Sequence, residues 1–281
     1  MPFFILYRLS DGVYFILYYL LGYRKKVVLA NLRNSFPEKN EEEIHLICKK
    51  YYHHLCDLFL ETIKTLTISR KGLVKHSPLS PEAIKLFDRL ADQQKSIIVV
   101  MGHQGNWEWA GNAFSVLCKQ QLYVIYHPLS NKFFNGLMHQ IRTRFDAKTI
   151  AMRETFKEML VSKRSGETSA TAFIADQTPP PESAYWTQFL NQDTPVFRGT
   201  ELIAKKLNYP IVYASVKKIN RGYYIVNAEM LEEHPGQTPE GQISELHTRK
   251  LEKNILEQPE TWLWSHRRWK HKKPVRLEVS N

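Results

Sequence analysis

Residues 96–111 read SIIVVMGHQGNWEWAG. A strand-like apolar run, Ile97 to Met101, stops at a glycine, and a helical pattern begins after Asn106. Short aliphatic runs bounded by turn residues read as buried strands. Asn106 is a good N-cap, because its side-chain oxygen can accept a backbone N–H of the next turn. The unit is therefore strand, turn, helix, with Gly102 and Gly105 freeing the backbone about His103. Inside one helix, five residues at ~100° each would set His103 and Glu108 ~140° apart, on different faces. With His103 in the turn and Glu108 in the first helical turn, the carboxylate can reach back to the imidazole. There the positive helix N-terminus favours the ionised carboxylate, which can orient one ring nitrogen while the other faces a substrate. The pair also falls at the carboxyl end of a strand, where open α/β sheets bind ligands.

The same alternation continues outward. LYVIY (122–126), KTIAM (148–152), ATAFIAD (170–176), PIVYASVKKI (210–219) and YYIVNAEML (223–231) read as strands, the last two flanking the turn Asn220-Arg221-Gly222. Helical patterns lie between them: from Trp107, through NKFFNGLMHQIRTRF (131–145), near 153–163, and at GTELIAKKL (199–207) after the break TPPPES. Two helices precede the first strand. One is capped by Asn40 with Glu43 three residues on, and carries the stripe Ile44, Ile47, Tyr51, Leu55, Leu58, Phe59, Ile63. The other is capped by Ser80 with Pro81 at its first position. Strands alternating with crossover helices predict an α/β fold, a central mostly parallel mixed sheet flanked by helices, with an N-terminal helical membrane-associating segment. Residues 1–26 are expected to form that segment and 27–281 a single domain.

The N-terminal expectation rests on composition. Residues 3–22, FFILYRLSDGVYFILYYLLG, are aromatic and aliphatic apart from Arg8, Ser10 and Asp11, and Arg24, Lys25 and Lys26 follow at once. The apolar stretch after Asp11 is shorter than the ~20 residues that span a bilayer. It suits a segment lying in the interface with its cations over anionic headgroups; the bland alternative is a buried core helix. A secretory signal is disfavoured, since no basic region precedes the apolar part and no small-residue cleavage site follows it. The chain carries a net charge of +11, with HRRWKHKK at 266–273 as its second basic run. Such runs seek phosphate or are simply solvated faces.

Three cysteines, Cys48, Cys56 and Cys118, form no CxxC pair, which argues for reduced thiols and against a disulfide frame, a zinc site or any other metal. No GxSxG elbow is present, and Cys118 lies ten residues past Glu108. A histidine base without a protein nucleophile fits activation of a hydroxyl brought by the substrate, as in an alcohol attacking a thioester. The bland reading of His103 is a residue that caps or buttresses its turn.

HQGNWE (103–108) resembles the H-x4-[D/E] motif of the bacterial lipid A late acyltransferases, members of the lysophospholipid acyltransferase superfamily. ANLRNSFPE (30–38), YHPLSN (126–131), IRTRF (141–145), ADQTPP (175–180) and PETWLWSHRRWK (259–270) are similar to further stretches of that family, in the same order. His127 stands where the family often has arginine, FLN (189–191) replaces its Phe-Phe-Gly, and the N-terminal segment is shorter than its usual anchor, which implies weaker anchoring or a start placed downstream.

The resemblance implies an O-acyltransferase moving a fatty acyl chain from an acyl carrier protein thioester, with acyl-CoA as alternative donor, to a hydroxyl of a lipid A precursor or related glycolipid. It implies no cofactor, no metal and no acyl-enzyme, on the cytoplasmic face of the inner membrane, peripheral or monotopic, at an anionic membrane surface. His103 would be the general base and Glu108 its partner. Asn106, Tyr126 and Asn131 would meet substrate. Arg142 or Arg144 would steady the carboxylate or an acceptor phosphate, for which a guanidinium fork is suited. Asp176 and Gln177 would border the cleft or cap the proline turn. Arg267 and Arg268 would hold a sugar phosphate or the membrane, and Trp262, Trp264 and Trp269 would be core or interfacial anchors. Backbone N–H groups near Gly105 are candidates for the oxyanion. A phosphoinositol mannoside or an aminolipid are alternative acceptors. A thioesterase, and a nucleic-acid-binding protein using its basic ends but lacking any nucleic-acid motif, are the competing readings.

Overall fold

The structure, a computed structural model, describes residues 1–128 and 130–274, so Leu129 and the last seven residues of the expected 27–281 unit lie outside the described residues. Helix α1 (Phe3–Phe15) runs on through a π-helical stretch, Ile16–Leu21, to Gly22 at φ +58°. Then come α2 (Lys25–Ser35), α3 (Glu41–Lys64) with the expected Asn40–Glu43 capping box, α4 (Arg70–His76), and α5 (Pro81–Asp92) capped by Ser80. Strands and helices alternate thereafter: β1 (Ile97–Met101), α6 (Trp107–Leu117), β2 (Gln121–Tyr126), α7 (Lys132–Thr143), β3 (Lys148–Ala151), α8 (Thr155–Ser165) and β4 (Ser169–Ile174). A hairpin of β5 (Tyr185–Phe189) and β6 (Gln192–Val196) precedes α9 (Gly199–Leu207), β7 (Ile211–Asn220), β8 (Tyr223–Glu232) and α10 (Gln242–Glu257).

Six strands form one sheet in the order β3-β2-β4-β1-β7-β8; the first five are parallel and β8 runs antiparallel to β7. Both faces are covered. Along β1 the side chains alternate: Ile97, Val99 and Met101 join one apolar cluster with Trp109 and Phe114, while Ile98 and Val100 join the other with Leu251 and Trp264. β5 and β6 form a separate two-stranded sheet. Its two-residue loop holds Leu190 at φ +49° and Asn191 at φ +62°, the turn geometry that usually recruits Asn or Gly.

The N-terminal helix lies side-on against α3. Tyr7 Oη donates to Glu61 (2.9 Å), Ser10 Oγ to Asp57 (2.6 Å), and the Tyr14 ring stacks on His53 with centroids 3.6 Å apart. Leu6, Ser10, Tyr14 and Tyr18, four residues apart, are buried, whereas Phe4, Leu9, Phe15, Leu20 and Leu21 are each more than half exposed. Counted from Phe3 and not from Asp11, the helix is 19 residues and long and apolar enough to cross a membrane by length and composition. Its polar residues explain why it stays on the body: Ser10 bonds Asp57, and Asp11 pairs with Arg221 of the β7–β8 turn at 2.6 Å.

Candidate active site

β1 and β4 pair in register, Ile97 beside Ala170 and Met101 beside Ile174. The same separation of 73 residues continues past the strand ends and sets His103 beside Asp176. The His103 backbone N–H donates to Asp176 Oδ2 (2.8 Å), and His103 Nδ1 lies 2.5 Å from Asp176 Oδ1. The expected partner was Glu108, which the structure corrects: Glu108 is held by Arg142, whose Nη2 lies 2.7 Å from Oε1 and whose Nε lies 3.2 and 3.3 Å from the two carboxylate oxygens. The reason lies in the strand order, which brings the β4 carboxylate alongside the histidine, while the helical start at Trp107 turns Glu108 toward α7.

Burial alone would raise the Asp176 carboxyl, but the His103 ring, the two His103 hydrogen bonds and a bond from Trp262 Nε1 (2.7 Å) outweigh it and hold the group at about 2. An ionised Asp176 keeps the imidazole proton on Nδ1, which leaves Nε2 as the unprotonated nitrogen. Arg142 is mostly buried; burial would lower it, but the charge and hydrogen bonds of Glu108 leave it raised.

The turn between β1 and α6 is enclosed by protein. Gly105 sits at φ +63°, and a Cβ there would lie 2.6 Å from the Val216 carbonyl oxygen, so the position needs glycine. Leu263 N–H donates to the His103 carbonyl (3.1 Å) and Gly105 N–H to the Thr261 carbonyl (3.0 Å). That second bond engages the Gly105 N–H, one of the backbone donors near Gly105 that were candidates for the oxyanion. The His54 ring nitrogen meets the Gly105 carbonyl at 3.3 Å; burial, then Lys218, lower His54 to about 3, so it is neutral.

His103 opens onto a pocket of about 630 Å³ formed by α6, α7, α9 and the carboxyl ends of β2 and β4. Trp107, Glu108, Met138, Phe173, Ile203 and Leu263 are among its walls. Among the described residues no serine or cysteine lines it. Burial pushes Cys48 up to about 11 and Cys56 and Cys118 to about 12, so none is an activated thiol. Among the described residues no three His, Cys, Asp or Glu side chains cluster as metal ligands.

The other expected site residues divide. Tyr126, Arg142 and Gln177 line the pocket. Asn106 is fully buried: Oδ1 caps α6 at Trp109 N–H (2.9 Å) and Nδ2 donates to Glu61 (2.8 Å), so it supports the turn from behind and does not reach substrate. Asn131 caps α7 at Phe133 and Phe134 and is not a pocket wall. Arg144 points away, donating to the Ile68 carbonyl (3.1 Å). Arg267 is exposed, but Arg268 is only 2% exposed and cannot meet a headgroup or a membrane. Trp262 and Trp264 are core residues, and Trp262 also bonds Asp176, a role that its sequence position did not signal. Asn31, in the ANLRNSFPE stretch, fastens the C-terminal segment by donating to the carbonyls of Trp264 (2.8 Å) and His266 (3.0 Å).

A mostly parallel α/β sheet with a histidine-carboxylate pair at its carboxyl edge, opening on an apolar-walled pocket, places a candidate general base where open α/β folds bind their ligands. The comparisons give the family. The bacterial lipid A biosynthesis acyltransferase family model matches residues 1–271, and the chain belongs to that family. It is 23% identical over 250 residues, 88% of this chain and 79% of the relative, to the lipid A biosynthesis palmitoleoyltransferase of Escherichia coli (strain K12), and equally to the lipid A biosynthesis acyltransferase of Shigella flexneri. The protein is an acyltransferase of lipid A biosynthesis.

Proposed function

We propose that the protein moves a fatty acyl chain from an acyl carrier protein thioester to a hydroxyl of a lipid A precursor, with His103 as the general base. Residues 27–281 form the acyltransferase domain and 1–26 its membrane-associating flank, at the cytoplasmic face of the inner membrane. The observation that carries the reading is the His103–Asp176 pair, 2.5 Å apart, at the mouth of an apolar-walled pocket of about 630 Å³, within the range of ligand sites.

His103 Nε2 takes the proton from the acceptor hydroxyl as its oxygen attacks the thioester carbonyl. The tetrahedral intermediate expels the carrier thiolate, which takes the proton from the imidazolium. The N-terminal end of α6, where Trp107 and Glu108 border the pocket, supplies positive potential for the charge on the carbonyl oxygen. Tyr126 and Gln177 line the acceptor side, and exposed Arg267 contributes to a cationic face suited to an acidic carrier. The outer face of α1 gives an apolar surface that meets the bilayer side-on.

The test incubates purified protein with an acyl carrier protein thioester and a lipid A precursor, with mass spectrometry of both. We expect one added acyl chain on the acceptor, and a loss of ~10²-fold or more in folded His103→Ala. Free fatty acid without acceptor acylation would make the protein a thioesterase. Near-normal turnover by His103→Ala would reject the base.

A further inference from the structure

The C-terminal segment 262–269 wraps the back of the loop that carries Asp176. Besides the Trp262 bond to Asp176, Thr178 Oγ1 donates to the Arg268 carbonyl (2.6 Å) and Thr178 N–H to His266 Nε2 (3.3 Å). Within that clamp the Arg268 side chain is buried and shares a space of about 10 Å³ with Asp176, Phe189, Thr248 and Leu251. Among the described residues its Nε and Nη1 have no hydrogen-bond partner. Burying an unpaired charge is costly, so a guanidinium held here needs a negative counterpart. Asp176 is the carboxylate bordering the same space.

The surroundings leave few other charges to answer it. Burial lowers Arg268 to about 10, with Asp176 pulling it back up, so it is cationic at neutral pH. Burial holds His247 of α10 and His266 at about 4, which makes both neutral there. Tyr213 of β7, raised by burial, is un-ionised. Glu201 of α9 accepts from Gly241 N–H, Ser244 N–H and Ser244 Oγ. On the pocket side Glu108 and Arg142 neutralise each other.

We propose that Arg268 is a positioning residue: its buried guanidinium sits behind Asp176, holds that carboxylate turned toward His103, and so keeps the imidazole proton on Nδ1. The inference rests on His103 being the base, so the test reads the imidazole directly as well as turnover. Nitrogen NMR of labelled histidine follows the His103 tautomer and titration in the wild type and in Arg268→Met, Arg268→Gln and Arg268→Lys. Loss of a nearby cation favours imidazolium. In the two neutral variants the His103 midpoint therefore moves to higher pH by on the order of one unit, the size a neighbouring charge imposes. The acidic limb of kcat/KM moves with it, and the lysine variant returns both toward wild type. Methionine fills the site without charge, and glutamine carries the same test if methionine fails to fold. A folded neutral variant whose His103 titrates as in the wild type overturns the proposal. If the midpoint moves while the acidic limb of kcat/KM stays, Arg268 is placed correctly and the assignment of His103 as base is what fails.

Discussion

Asp176→Asn and Glu108→Gln separate the carboxylate that meets His103 in the structure from the one that the sequence assigned to it. Three donors converge on Asp176: His103 N–H at 2.8 Å, His103 Nδ1 at 2.5 Å and Trp262 Nε1 at 2.7 Å. An asparagine offers one oxygen and an NH2, so at least one donor is left facing another donor, at a cost of about 1–3 kcal/mol for a buried unsatisfied group. If the NH2 turns to Nδ1, the imidazole proton shifts to Nε2 and the base is lost. The corresponding change in a serine protease triad lowers turnover ~10⁴-fold, and we expect 10³-fold to 10⁴-fold here. Glu108→Gln leaves the His103–Asp176 pair intact and weakens the hold on Arg142, so the expected loss is ~10²-fold or less. The assay is single-turnover acyl transfer followed by mass spectrometry, with circular dichroism and thermal melting to confirm that both variants fold. A folded Asp176→Asn protein losing less activity than Glu108→Gln would refute the assignment and return Glu108 to the histidine.

Two other outcomes follow from the same structure. Replacing Phe15, Leu20 and Leu21 with serine removes exposed side chains only and should leave the melting temperature unchanged. At ~1 kcal/mol per side chain, flotation with anionic vesicles should fall by ~10²-fold, and equal flotation would show that this face is not the membrane contact. The second outcome concerns acid. His54 and His247 are buried and depressed to about 3 and about 4, so between those values and their unfolded pKa near 6.5 the unfolded chain binds more protons. Stability therefore falls as the pH drops below ~6.5, by on the order of 3 kcal/mol per histidine by pH ~4.5. Chemical denaturation from pH 7.5 to 4.5 measures it, and a flat profile would contradict neutral burial.

The sheet and its order of elements were legible because buried strands and amphipathic helices announce themselves by period. β1, β2, β3, β4, β7 and β8 all fall on apolar runs, and α3, α5, α6 and α9 on capped or periodic ones. α10 had its signal as well: Ile243, His247, Leu251 and Ile255 recur every four residues and are buried, and His247 interrupts the apolar count. The β5–β6 hairpin was hidden because its turn uses Leu190 and Asn191 at positive φ in place of a glycine-bearing pair.

The chemistry at the turn was half legible for a different reason. Local spacing places His103 and Glu108 together in the chain, but which carboxylate meets the ring depends on which strand lies beside β1. A one-dimensional pattern does not carry strand order, and here the neighbour is β4, fourth along the chain. Once that neighbour is known, the equal separation of 73 residues along both strands makes Asp176 the partner. The same logic reassigns the basic C-terminus. A run of cations in sequence reads as a surface, yet the segment turns inward at Trp262 and Trp264, so of two adjacent arginines Arg267 faces solvent and Arg268 faces the back of the site. Charge counted along the chain therefore overstates what a membrane can feel, and one of those cations belongs to the electrostatics of the histidine.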